Sequence, residues 1–257
     1  MLTPTPARTD LPEIVAHRGD AEHFPENSLP GLEAAWRLGL RHAEFDVQLS
    51  ADGIPYVIHD ASLDRTTSST GDLRLMMSGQ LDGVDACEPH RFGMRHAGTH
   101  LPRLTAVAER MADFPQARAF VELKRASLVH HGRQHCIERT ISALAGVLDR
   151  CVVISFDAEA CRLTRETAGL PIGWVLAGEP ATHLATLEEM QPEFAFCDHR
   201  GLPAAGRLPG GCWTWAVYEV TDAALARALH ARGVALVESM APRRLLAELS
   251  GEVERRA

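Results

Sequence analysis

The chain has 257 residues, 46% hydrophobic and 23% charged, which fits one large barrel or two small globular domains. Its net charge of −8 argues against non-specific binding to nucleic acid or anionic membranes, because the surface as a whole would be repelled. Six cysteines without CxxC or zinc-ligand spacing read as scattered, reduced apolar residues.

The opening MLTPTPARTDLP lacks the apolar region of a signal peptide. No run approaches the roughly 18 apolar residues of a membrane span, so a soluble cytoplasmic protein is expected. Short β-rich runs then alternate with stretches of helical period, the mark of βα units around a parallel sheet. In chain order the pattern predicts a strand at 14–17, a helix at 29–38 closed by Gly39, strands at 43–47 and 56–59, and a helix at 104–114. A strand at 120–124, a helix at 136–148, a strand at 152–156, a helix at 158–168, a strand at 172–176 and a helix at 182–190 follow. Strands at 194–197 and 213–220, a helix at 222–232, a strand at 234–238 and a helix at 243–249 complete the series.

These strands number one more than an eight-stranded barrel holds. Only QLSADGIP separates Val47 from Tyr56, too few residues for a parallel crossover, which takes about a dozen. The two runs therefore form an antiparallel ribbon, turned at Asp52-Gly53, with Pro55 opening the return strand. The expected architecture is a single TIM-type (β/α)8 barrel whose ribbon returns His59 to the C-terminal mouth. Residues 61–100 carry several glycines and little periodicity; they read as a small lobe inserted over that mouth.

Side chains two apart in a strand share a face, so Glu44 pairs with Asp46 in EFDV and Glu122 with Lys124 in VELK. Each pair ends a predicted strand, where barrel active sites lie, and His17 and Arg18 end the first strand likewise. Three converging carboxylates would repel by about 4 kcal/mol per pair at ~4 Å and an effective dielectric near ~20. Two compensations are open: a hard divalent ion, Mg²⁺ or Ca²⁺, on Glu44, Asp46 and Glu122, or salt bridges to Arg18 and Lys124.

The motifs AHRG (16–19), PENS (25–28), EFDV (44–47), ADG (51–53) and HD (59–60) recur in the order and spacing of a known family, followed by LDRTTSSTGDL, LPRLTAV (101–107) and VELK (121–124). The chain resembles the glycerophosphodiester phosphodiesterases, most specifically over residues 13–124. That resemblance implies His17 and His59 as an acid/base pair, Glu44, Asp46 and Glu122 as metal ligands, and Arg18 and Lys124 as phosphate ligands. It implies metal-dependent hydrolysis of a small-molecule glycerophosphodiester to sn-glycerol 3-phosphate and an alcohol. The residues suit that chemistry: a phosphodiester needs its charge neutralised, an alkoxide protonated and a nucleophile deprotonated. Asn27 is expected to orient one of these groups, and Asp60 either fixes a histidine or caps a turn. The other histidines read as surface or loop residues.

Departures fall near the C-terminus. Counting back from Gly233 by the family's usual spacing sets Tyr218, Glu219, Val220 and Thr221 against its WTVN, and GVALVESM replaces GVDGIITD. Tyr218 is then expected at the substrate wall. Glu238 either joins it in receiving a cationic headgroup or pairs with Arg243 or Arg244. Two rival functions are cleavage of a lysophospholipid or sphingolipid headgroup, disfavoured by the lack of a basic amphipathic or strongly apolar surface helix, and phosphate-ligand binding without turnover. The latter predicts a lost histidine or carboxylate. No stable membrane insertion is expected, and oligomeric state is not legible at this level.

Overall fold

The structure, a computed structural model, describes residues 11–251. Most of the segment read as lacking a signal peptide, residues 1–10, lies outside the described residues. Nine strands occur in chain order: β1 (Glu13–His17), β2 (His42–Leu49), β3 (Pro55–Val57), β4 (Arg118–Leu123), β5 (Cys151–Ser155), β6 (Ile172–Val175), β7 (Phe194–Asp198), β8 (Thr214–Tyr218) and β9 (Leu236–Ser239). Eight of them run parallel around a closed ring, β1-β2-β4-β5-β6-β7-β8-β9, sealed by the β9–β1 pairing. The ninth, β3, pairs antiparallel with the end of β2, Val47 opposite Val57, and lies outside the ring. It is shorter than the predicted strand at 56–59, and His59 falls in the bend that follows it.

The helices are α1 (Leu29–Arg37), α2 (Ser78–Leu81), α3 (Pro89–Phe92), α4 (Leu104–Ala112), α5 (Arg125–His131), α6 (Arg133–Ala143), α7 (Ala158–Ala168), α8 (Leu184–Met190), α9 (Ala223–Ala231) and α10 (Pro242–Leu249). Ser28, Asp157 and Asp222 cap α1, α7 and α9 by accepting from backbone N–H groups of the first turn, fixing where each helix starts. Helix α5 is absent from the predicted pattern. Its seven residues bury only Ser127 and Leu128 and leave Val129 exposed, so it shows too little apolar period to be read, and Gly132 at φ +87° separates it from α6. Among the described residues no helix is long and apolar enough to cross a membrane.

The period-2 alternation divides the barrel into two cores. Ile14, Ala16, Ala43, Phe45, Val47, Ala119, Val121 and Val237 face outward onto the helices, while Val15, Phe120, Ile154, Val175, Phe196, Ala216 and Leu236 fill the interior. The inward row therefore passes through His17, Glu44, Asp46, Glu122 and Glu238 as the strands reach their C-terminal ends, and each of these is at most 9% exposed. Burying an apolar plug below them costs nothing electrostatically; burying this ring of charge requires mutual compensation.

Residues 60–103 fold beside β3 around their own apolar cluster of Ile58, Leu63, Leu73, Leu81, Val84, Ala86 and Leu101. Tyr56, fully buried, ties β3 to this lobe by donating its hydroxyl to Ser78 O at 3.0 Å and Asp82 Oδ1 at 2.6 Å.

One glycine holds the first loop against α1. Gly19 sits at φ +88°, and a Cβ there would lie 2.6 Å from the backbone carbon of Gly31. Gly19→Ala is expected to lower the unfolding free energy by about 1–3 kcal/mol, because both the left-handed backbone and the helix contact resist a side chain. Urea titration of the variant against the parent measures it.

Candidate active site

His17 ends β1 with Nε2 3.2 Å from Glu238 Oε1 and 3.8 Å from Glu44 Oε2. The next residue, Arg18, has φ +58°, a conformation that costs a non-glycine residue about 1 kcal/mol or more and turns the guanidinium into the mouth. There Nη1 meets Glu26 Oε1 at 2.9 Å and Nε lies 3.1 Å from Asp46 Oδ2. Asn27, also left-handed at φ +58°, donates Nδ2–H to Asp46 Oδ2 at 2.8 Å and accepts from the Asp46 backbone N–H at 3.1 Å. The expectation that Asn27 orients an acid at the mouth thus has a geometric counterpart. Lys124 reaches from the end of β4 to Asp46 Oδ1 at 3.1 Å and Glu122 Oε1 at 2.8 Å.

Glu44, Asp46 and Glu122 each offer a carboxylate oxygen within 4.8 Å of the others. Arg18 and Lys124 do pair with this group, as the salt-bridge alternative required, but unevenly. Against the cost of burial, Lys124 and Arg18 hold the Asp46 carboxyl well below its ordinary range. Burial, with repulsion from Asp46, Glu238 and Glu122, drives Glu44 well above it, and burial pushes Glu122 up to about 6. Glu44 Oε1 is buried with no hydrogen-bond partner. Five buried carboxylates at the mouth (Glu26, Glu44, Asp46, Glu122, Glu238) face three cations (Arg18, Arg65, Lys124). The donor set is hard oxygen, its carboxylates repel one another strongly enough to raise Glu44, and one lone-pair-bearing oxygen lacks a partner; a divalent cation fits all three features.

His59 arrives from the other side. The turn after β3 is held by Ile58 N–H to Asp46 O at 3.0 Å and by Gln48 Nε2 to His59 O at 2.9 Å. Its Nδ1 lies 2.6 Å from Asp60 Oδ1, so Asp60 here takes the first of its two open roles and fixes the imidazole. Burial lowers the affinity of both histidines for a proton, most strongly at His17, and Arg18 and Lys124 lower both further.

Two residues not singled out from the sequence complete this network. Arg65 donates from Nε to Asp60 Oδ2 at 2.6 Å and forks onto both oxygens of Glu26 at 2.8 Å, joining the His59 side of the mouth to the Arg18 side. Glu88, in the lobe, accepts the Glu26 backbone N–H. Arg65→Gln is expected to lower kcat by about 10- to 100-fold through loss of His59 alignment, and Arg65→Lys not to restore it, since an ammonium cannot fork onto Glu26 while reaching Asp60. Steady-state kinetics of the two variants test this.

Glu238 does not pair with Arg243 or Arg244. Arg243 binds Asp20 at 2.9 Å and Arg244 binds Glu22 at 3.0 Å, whereas Glu238 lies against His17. A cavity of about 120 Å³ opens at the centre, lined by His17, Arg18, His59, Lys124, Tyr218 and Glu219 among others. Trp213 and Trp215 instead pack into the outer core.

This arrangement has relatives. The pattern of the glycerophosphoryl diester phosphodiesterase family matches residues 17–238, from the first histidine to the last inward glutamate. The chain belongs to that family. It is 30% identical over 155 residues to a glycerophosphodiester phosphodiesterase of Caldanaerobacter subterraneus, a stretch covering 60% of this chain and 62% of that protein. A probable glycerophosphodiester phosphodiesterase 1 of Mycobacterium tuberculosis is 32% identical over 185 residues, 68% of this chain and 67% of its own. In fold, an Oleispira antarctica phosphodiesterase determined with the product sn-glycerol-3-phosphate superimposes with a TM-score of 0.80 at 23% identity, covering 93% of this chain and 97% of that one. The glycerophosphodiester phosphodiesterase of Agrobacterium tumefaciens gives 0.73 at 27% identity, covering 92% of this chain and 100% of its own. The conserved barrel of this family is thus the scaffold on which the mouth described above is built.

Proposed function

We propose that this chain hydrolyses glycerophosphodiesters to sn-glycerol 3-phosphate and an alcohol, with a divalent cation, Mg²⁺ or Ca²⁺, held by Glu44, Asp46 and Glu122. The observation that carries the reading is the convergence of two imidazoles, two cations and Glu122 on one small cavity, with Glu44 and Asp46 clustered against Glu122, in a chain of this family. Arg18 and Lys124 bind the phosphoryl oxygens, and a bound cation supplies further charge neutralisation there. His17 and His59 reach the cavity from β1 and from the turn after β3, so one can take the proton of the attacking hydroxyl while the other delivers one to the leaving alkoxide. Asp60 and Glu238 hold the two rings, His59 and His17 respectively. Residues 61–100 are an insertion of one barrel domain, and buried free thiols at five of the six cysteines suit the cytoplasm.

The test is release of glycerol 3-phosphate from glycerophosphocholine and of acylglycerol 3-phosphate from lysophosphatidylcholine, each with and without added Mg²⁺ or Ca²⁺. Metal-dependent turnover of the first supports the reading. Turnover of the lysophospholipid alone would assign a lipid substrate, and binding of glycerol 3-phosphate without turnover of either would assign a non-catalytic barrel.

A further inference from the structure

The closed ring of the barrel sets which strand ends face one another across the cavity. In the ring order, β8 stands diametrically opposite β4, so the residues that follow β8 face Lys124 across the mouth. Lys124, Arg18, both histidines, Tyr218 and Glu219 all line the cavity, Lys124 from the end of β4 and Tyr218 and Glu219 from the end of β8. A diester whose phosphate lies against Lys124 and whose alcohol crosses the mouth meets Tyr218 and Glu219.

Glu219 is unusual in two respects. It adopts φ +64°, the conformation shared at this mouth by Arg18 and Asn27, whose side chains both reach Asp46. A glutamate gains nothing from that backbone locally, and such outliers persist where surrounding structure fixes them, here the β8 pairing before it and the Val220 N–H bond to Glu238 O at 3.0 Å after it. It is also a carboxylate lining the cavity with no ion-pair partner among the described residues. Glu122 is matched by Lys124, and Glu238 lies 3.2 Å from Nε2 of His17. Arg200, the arginine that feels the charge of Glu219, is held by Asp198 through three hydrogen bonds of 2.5–3.0 Å. Beside it the Tyr218 ring packs against the interior cluster and presents an aromatic surface to the cavity.

We propose that Glu219 is a specificity-determining residue that favours diesters of cationic alcohols over those of neutral ones, with the Tyr218 ring as the second wall of that subsite. The inference rests on the hydrolysis proposed above. A positively charged ammonium group finds there an unmatched carboxylate and an aromatic ring, the pair that attracts such cations. A neutral alcohol finds only the ring.

The experiment compares kcat/KM for glycerophosphocholine and glycerophosphoglycerol in the parent, Glu219→Gln and Glu219→Lys. The ratio of choline to glycerol diester is expected to fall about fivefold to tenfold in Glu219→Gln, and further in Glu219→Lys, where the charge is reversed. A parent that hydrolyses both diesters with a ratio unmoved by either substitution overturns the assignment of Glu219 and leaves the proposed reaction standing. A parent that releases glycerol 3-phosphate from neither diester overturns the reaction and this inference together.

Discussion

Glu44→Gln is expected to lower kcat by at least about 10³-fold, and chelation of the parent enzyme to do the same, because the cation's share of charge stabilisation amounts to several kcal/mol at about 1.4 kcal/mol per decade. Glu44 is the sharpest test of the three acids. Asp46 and Glu122 already have Lys124, and Asp46 has Arg18 as well, whereas Glu44 Oε1 has no partner. The substitution should also separate metal from fold. Folding without metal disfavours ionisation of Glu44, a penalty a neutral amide does not carry, so metal-free Glu44→Gln should unfold at a temperature no lower than the metal-free parent. The parent should gain stability with added Mg²⁺ or Ca²⁺ as RT ln(1 + [L]/Kd), and the variant should lose that gain. Thermal unfolding with and without metal measures both. A fully chelated parent that kept its rate would return the carboxylates to a purely structural role.

His59→Ala and His17→Ala are each expected to cost about 10²- to 10⁴-fold in kcat while leaving the barrel folded. The two residues reach the cavity on different elements, so neither can stand in for the other. Since one imidazole must start neutral and the other protonated, kcat/KM should follow a bell-shaped pH profile whose limbs belong to the pair. The acid limb has a predictable side. Burial lowers His59, Arg18 and Lys124 add to this against the pull of Asp46, and His17 is lowered still more by burial and Arg18. Whichever ring is the base, it is neutral above its lowered pKa and loses function only as pH falls through that value, so the acid limb should lie below 6.5. Circular dichroism confirms folding of each variant, and an unchanged rate for His59→Ala would remove the turn after β3 from the mechanism.

Alternation alone makes the inner face of the barrel legible, because in a strand the side of the sheet is fixed by residue parity. Glu44 and Asp46 share that face whatever the rest of the chain does, and so do Glu122 and Lys124. Chain length alone rules out a parallel crossover between Val47 and Tyr56. These are local constraints, settled within a few residues. What the sequence leaves open are contacts made by closure of the ring. Glu238 meets His17 because β9 pairs with β1 in the register Val15 opposite Glu238, and nothing near Glu238 in the chain signals that, while Arg243 and Arg244 stand temptingly close in sequence. Arg65 joins Glu26 and Asp60 because the lobe folds back over the first loop. Glu219 and Lys124 line the same cavity because β8 and β4 end across a ring of eight strands. Which charges lie inside is determined by the sequence through strand periodicity; which of them meet is decided only when the barrel's register and closure bring distant strand ends together.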